Sequence, residues 1–198
     1  MVRVLVLHAR LDQGVRPGAF DALLRALPYA RRLELEQRSD ADRHASLAGL
    51  WLVLQGATQL AGRPAGPHDL CFPMGGKPML ADGPCFSVSH GRDHVAAALS
   101  NDAEIGFDLE ETGDGQGSDR KDATTLERWT ATEAVLKAAG QGLRDAKSVE
   151  LDASLATGTM HGKAYVLRRV MLPGPVIAHL ASSGPVGQVD VVALELPR

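Results

Sequence analysis

The segment CFSVSHGRDHVAAALSNDAEIGFDLE, residues 85–110, decides how the chain is read. Residues 85–89 and 95–100 are runs of strand length, separated by the turn composition Gly91-Arg92-Asp93. Residues 101–104 form a second turn, and residues 105–110 read as a third strand. The three together predict an antiparallel meander. Within the third strand, Asp108 and Glu110 are two residues apart, so a β conformation puts both carboxylates on one face of an otherwise apolar strand.

Upstream, residues 2–7 are β-branched and apolar and predict a buried opening strand. Pro17 opens a short helical pattern in which Phe20, Leu23, Leu24 and Leu27 share a face, and Pro28 stops it. Residues 31–42 are highly charged. Leu47, Leu50, Trp51 and Leu54 then restore the helical period and predict a longer helix over about residues 42–60. Residues 62–83 are rich in Gly and Pro and read as loop with short extended pieces.

Downstream, residues 113–122 have almost no apolar content and predict a mobile loop. Residues 124–139 read as a helix ended by Gly140 and Gly142. Residues 163–170, 176–181 and 188–196 are further strand candidates. This order predicts an α+β fold of two similar halves, residues 1–100 and 101–198, related by a pseudo-twofold axis with the active site in the cleft between them.

Composition narrows the partners. The chain has 198 residues, 4% aromatic, with a formal charge of −3. That lacks both the basic footprint and the stacking side chains of a general nucleic-acid binder. The first half carries 11 Lys/Arg against 9 Asp/Glu and the second 10 against 15. A basic-leaning half suits an anionic ligand and an acidic half suits a cation. Two cysteines, Cys71 and Cys85, are too few for a disulfide scaffold and fit a reducing compartment. The apolar opening run is too short for a signal peptide or a membrane span. The expected protein is cytoplasmic, with neither membrane nor nucleic acid as partner.

Three groups of residues bear on chemistry. Asp108 and Glu110 repel each other unless they reach solvent or share a cation; Mg²⁺ takes such hard oxygen ligands together with substrate phosphates. The same pair also fits a solvent-facing strand end leading to Glu111. Trp129, Glu133 and Lys137 fall at i, i+4 and i+8 and form one helical stripe. That stripe can line a site, but Thr130-x-x-Glu133 also matches a capping box, as does Thr124-x-x-Glu127, and Glu133 with Lys137 also matches an ordinary helix ion pair. Phe86-Ser87-Val88-Ser89-His90 ends beside a turn, where Ser89 and His90 can meet an anion, with Lys77 upstream.

Two motifs are excluded. Gly75-Gly76-Lys77 lacks P-loop spacing and is followed by Pro78. Residues 87–91 are not a nucleophile elbow, because Ser87 occupies the first glycine position. A structural zinc site stays open on weaker grounds: His68, Cys71, Cys85, His90 and His94 contain H-x-x-C and H-x-x-x-H spacings but no C-x-x-C pair.

Taken in order, Gly76-Lys77-Pro78, Phe86-Ser87-Val88-Ser89-His90, Ile105-Gly106-Phe107-Asp108-Leu109-Glu110, Trp129-Thr130-x-x-Glu133-Ala134-x-x-Lys137 and Gly140-x-Gly142-Leu143 resemble the Sfp-type 4′-phosphopantetheinyl transferase family. The resemblance spans about residues 75–143. It implies transfer of the phosphopantetheine arm of coenzyme A to a serine of an apo acyl carrier or peptidyl carrier protein, with release of adenosine 3′,5′-bisphosphate. It implies Mg²⁺, or Mn²⁺ in its place, held by Asp108, Glu110 and Glu133. Glu133 would be the base for the carrier serine. Lys137 would stabilise charge on the pyrophosphate and protonate the leaving group. Ser89 and His90 would contact the 3′-phosphate end of coenzyme A, and Lys77 would lie near the adenine or its phosphates. Arg31, Arg32 and Arg43 would be the basic residues for the 3′-phosphate.

The chain departs from the family pattern at Thr132, where members commonly carry Lys. It departs again between the two metal motifs, where many members have a longer, aromatic-rich segment that helps to dock the carrier. Two other classes of function fit the same residues: a non-catalytic coenzyme A or carrier-binding protein, and a metal-dependent phosphohydrolase. A monomer is expected, because two halves of one chain complete the site.

Overall fold

The structure, a computed structural model, describes residues 1–11, 18–74, 76–112 and 122–197. Gly75, the start of the first helical pattern at Pro17 and nearly all of the expected loop at 113–122 fall outside the described residues. Helix and strand each make up 34% of the chain, a mixed α+β composition. No helix among the described residues is long and apolar enough to cross a membrane.

Two sheets form the centre. The first contains β1 (Val2–Arg10), β4 (Cys85–His90), β5 (His94–Ser100) and β11 (Val186–Ala193), in the order β11-β1-β5-β4. The second contains β6 (Ile105–Glu111), β7 (Val149–Leu151), β8 (Thr157–Met160), β9 (Lys163–Arg169) and β10 (Val176–Ser182), in the order β6-β10-β9-β8-β7. A two-stranded pair, β2 (Leu70–Cys71) and β3 (Met79–Leu80), punctuates the Gly/Pro-rich stretch.

The period of two in the strands sets the layers. In β1, Leu5, Leu7 and Ala9 join the core beneath a long helix, while Val2, Val4 and Val6 turn the other way. That second set meets Ile105, Phe107 and Leu109 of β6 and Leu180 of β10. Outside the first sheet lies α3 (Asp40–Ala61), after the shorter α1 (Asp21–Ala26) and α2 (Tyr29–Glu36). Outside the second sheet lies α4 (Ala123–Ala139), whose Ala131, Ala134 and Val135 pack on Tyr165, Leu167 and Ala181. The layers are therefore helix, sheet, sheet, helix.

Both long helices have explicit ends. Ser39 and Asp122 cap α3 and α4 by accepting the amides of Asp42 and Thr125, and Gly62 and Gly140 end them in the left-handed conformation. The charged stretch at 31–42 is thus α2, a capping residue and the first turn of α3.

The meander is corrected. β4 and β5 pair as expected, but β6 leaves them and pairs antiparallel with β10. The cause is the apolar face of β6, which is buried between the sheets and not alongside β5. The C-terminal strand, read from sequence as part of residues 101–198, returns to pair in parallel with β1.

β4 and β6 are the adjoining edges of the two sheets, and side chains stitch them together. Ser87 Oγ accepts the Phe107 amide at 2.9 Å. Lys77 Nζ donates to the Ile105 carbonyl, and Lys137 Nζ to the Val88 carbonyl at 3.3 Å. At the far end, Glu111 Oε1 accepts the amides of Asp93 and His94 and faces His94 Nδ1 at 3.0 Å, so it closes the β4–β5 turn.

Helix α4 crosses β6 at Gly106. A Cβ there would stand 2.0 Å from the Ala134 carbonyl oxygen and 2.3 Å from the Ala138 amide nitrogen. Gly106→Ala must therefore push the helix off the strand. It is expected to cost about 3 kcal/mol or to prevent folding, while Gly142→Ala, with open space around it, changes stability by about 0.5 kcal/mol or less. Urea unfolding of the two variants checks the contrast.

Burial lowers the pKa of His8, His44 and His179 from the ordinary 6.5, and the neighbouring His94 adds to the effect at His8. These rings take up protons more readily in the unfolded chain. The stability they support is present above that ordinary value and is lost as pH falls through it. The urea midpoint is expected to drop between about pH 7 and pH 5.5, before most carboxylates titrate, with a shallower slope in His8→Gln.

Candidate functional site

Because Ile105, Phe107 and Leu109 turn inward between the sheets, Gly106, Asp108 and Glu110 turn toward α4. There they meet Glu133, and one ligand oxygen from each of Asp108, Glu110 and Glu133 lies within 4.8 Å of the others. Among the described residues this is the group of His, Cys, Asp and Glu side chains placed to share a metal ion.

Asp108 is only 3% exposed. Its Oδ1 receives Ser89 Oγ at 2.8 Å and Lys137 Nζ at 2.6 Å. Its Oδ2 is buried with no hydrogen-bond partner. A buried carboxylate oxygen normally has a donor, and leaving one without is costly. Here the oxygen without a donor belongs to a trio of carboxylates, and like charges brought this close favour a cation between them. The donor set is all oxygen, as Mg²⁺ or Mn²⁺ prefers. The residues present therefore fit a hard divalent ion.

The strand-end and capping-box readings of these residues do not survive. Asp108 is not at a solvent-facing strand end. Thr130 is mid-helix, since α4 begins after Asp122, so neither Thr130-x-x-Glu133 nor Thr124-x-x-Glu127 starts it. Lys137 points to Asp108 and the Val88 carbonyl. Trp129, on the same stripe, is half-buried. Of the zinc-type residues, His94 is held by Glu111 and Arg10, and both cysteines are free thiols.

A cavity of about 220 Å³ is lined by Ser89, His90, Asp108, Glu110, Glu133 and Lys137. Beside it lies a second, of about 390 Å³, lined by Arg31, Arg38, Lys77, His90, Lys137 and the Gly140–Gly142 turn among others. His90 and Lys137 border both. An acidic compartment thus opens beside a basic one, with the lysine between them.

The other expected residues divide. Arg31 lines the basic cavity; its guanidinium stacks over Phe72 at 5.3 Å and its buried Nε has no acceptor. Lys77 lines it too, with its amine pKa lowered by burial. His90 is also held below its ordinary value by burial, more than Gly91 and Asp42 raise it. Ser89 is directed to Asp108 and so serves the carboxylate, not an open anion site. Arg32 and Arg43 do not line this cavity. Arg32 stacks on Tyr29 and faces Glu36 at 3.9 Å, and Arg43 pairs with Asp40 at 2.6 Å.

Two features escaped the sequence reading. Arg38 lines the basic cavity, donates to Ser46 Oγ at 3.0 Å and shares Glu34 with Arg31. Its spacing of seven from Arg31, two helical turns, was the available signal. The second is Thr130 Oγ1 against His179 Nδ1 at 2.7 Å, beneath the trio; a lone His in a buried strand gives no such signal.

No family model matches the chain, and no curated protein matches it in sequence.

Binding of a divalent ion to the folded state alone must raise the melting temperature. Mg²⁺ at a hundredfold over its dissociation constant adds about 2.7 kcal/mol, a rise of about 5–11 °C for a chain of this size. Glu133→Gln should lose most of that rise. A wild-type melting curve that neither Mg²⁺ nor Mn²⁺ moves would contradict the assignment.

Proposed function

We propose that the protein is a Mg²⁺-dependent 4′-phosphopantetheinyl transferase. It takes the phosphopantetheine arm of coenzyme A, places it on a serine of an apo acyl carrier or peptidyl carrier protein, and releases adenosine 3′,5′-bisphosphate. The observation that carries the reading is the donorless, buried Oδ2 of Asp108 in a carboxylate trio that adjoins a basic cavity. In this reading the chain consists of two α+β halves that share the site along the adjoining edges of their sheets. The layered order supports it: each sheet carries one long, glycine-ended helix on its outer face. The two free thiols suit a cytoplasmic location.

The basic cavity receives the nucleotide end of coenzyme A. Arg31, with its donor Nε free of an acceptor, and Arg38 offer forked charge to the 3′-phosphate. His90, held below its ordinary pKa by burial, offers a neutral ring donor at the boundary of the two cavities. The pyrophosphate then lies toward Lys137, which reaches both compartments.

Asp108, Glu110 and Glu133 would hold the ion, which when bound polarises the phosphate under attack and neutralises charge on the leaving group. Glu133 takes the proton from the carrier serine as its oxygen bonds to the phosphorus that bears pantetheine. The bond from that phosphorus to the bridging oxygen breaks, and the electron pair leaves with the adenosine bisphosphate. Lys137, already 2.6 Å from Asp108, is placed to stabilise that leaving oxygen and to protonate it. Transfer of this kind needs chiefly positioning and charge, which these side chains supply.

Incubation with coenzyme A, Mg²⁺ and a panel of apo carriers should yield a carrier heavier by one phosphopantetheine, read by intact mass. Glu133→Gln should slow the reaction about 100- to 10,000-fold. Coenzyme A binding with no mass gain on any carrier points to a binding protein. Release of phosphopantetheine without a carrier points to a phosphohydrolase.

A further inference from the structure

Three in-register residues run across the second sheet beneath α4. Asp108 of β6 pairs with His179 of β10, and His179 pairs with Arg169 of β9. Directly paired residues share a sheet face, and each of the three meets a polar side chain of the helix. Asp108 meets Lys137 at 2.6 Å, His179 meets Thr130 at 2.7 Å, and Arg169 meets Glu127 at 2.6 Å. The outer rung is partly exposed, and such ion pairs contribute little. The middle rung is buried, with Thr130 at 0% and His179 at 2% exposure.

Part of the helix underside is poor at fixing its own axial position, although Leu126, Val135 and Leu136 add bulkier buried packing. Ala131, Ala134 and Ala138 are small and fully or nearly fully buried, and alanines present little relief to lock against a sheet. A buried polar contact does what they cannot, because any displaced register leaves it unsatisfied. Thr130 Oγ1 is also within reach of the Leu126 and Glu127 carbonyls. The hydroxyl can therefore donate to the ring nitrogen or accept from it, and the contact holds in either histidine tautomer.

We propose that Thr130 and His179 are positioning residues for the metal site: their buried contact fixes the register of α4 on the second sheet, and so brings Glu133 to Asp108 and Glu110. Glu133 follows Thr130 by less than one turn, so a slip of one turn would move its carboxylate by about 5.4 Å and dissolve the trio. The inference rests on the reading of Asp108, Glu110 and Glu133 as a divalent-cation site.

Mn²⁺ titration followed by electron paramagnetic resonance, on proteins shown to be fully folded by circular dichroism, tests it. Thr130→Val removes the hydroxyl at nearly constant shape and should weaken Mn²⁺ binding about tenfold or more, the range for partners behind a metal ligand. Thr130→Ser restores the hydroxyl and should bind within about twofold of wild type. Glu127→Gln, which breaks only the exposed rung, should leave affinity unchanged. If Thr130→Val does not fold, Thr130→Ala, a strong helix former, gives the same readout. Wild-type affinity in the folded Val or Ala variant overturns the positioning role alone. Absence of Mn²⁺ binding in wild type overturns the metal reading and this inference with it.

Discussion

The approach of α4 to β6 at Gly106 is the constraint on which the site depends. Only hydrogen at that position lets the helix backbone, through the Ala134 carbonyl and the Ala138 amide, rest on the strand. Once the helix lies there, the two repeats match. Asp108 and Glu110 are separated by two strand residues, about 6.8 Å, and Glu133 and Lys137 by four helical residues, about 6 Å. A strand that alternates and a helix that turns thus present their polar side chains to each other at the same spacing. The apolar members of β6 are used up in holding the two sheets together, so fold and site are built by opposite faces of one strand.

The second constraint is electrostatic. Three carboxylates converge where Asp108, paired with the Lys137 ammonium, has almost no contact with water. Buried charge in that arrangement is stable only with a counter-ion. The neighbouring cavity has the opposite character, with Arg31, Arg38 and Lys77 on its wall. A ligand that carries phosphate and reaches a divalent ion satisfies both. The meeting edges of the sheets also manage their exposed backbone in an unusual way, since hydroxyl and ammonium groups, not a continuous ladder, occupy several of its polar groups.

Local regularities in the chain were readable, and distant pairings were not. Period two in residues 105–110 placed Asp108 and Glu110 together, and period four placed Glu133 with Lys137, because both patterns are contained in one element. The partner of β6 could not be read, since β10 lies more than sixty residues downstream and its sequence is as apolar as any other candidate. The return of β11 to β1 joins the two ends of the chain and leaves no local trace. Arg38 did not stand out because residues 31–42 are highly charged, so its spacing from Arg31 was one of several. Ser89 looked available to an anion because its neighbour across the junction, Asp108, belongs to a different sheet. Asp108 and Glu110 of β6 and Glu133 of α4, read from separate motifs, come together in the fold. Of the three arginines expected at the 3′-phosphate, Arg31 lines the basic cavity, while Arg32 and Arg43 pair with Glu36 and Asp40.

On the proposed reading, Asp108, Glu110 and Glu133 hold one divalent ion at the boundary of a cavity for the nucleotide. Crystals grown with Mn²⁺ and coenzyme A, measured for anomalous scattering from manganese, test it most directly. One strong anomalous peak bonded to oxygens of these three carboxylates is expected, with the adenosine end of coenzyme A beside Arg31, Arg38 and His90. A map with coenzyme A bound elsewhere, or with manganese absent from the trio at saturating concentration, would contradict it.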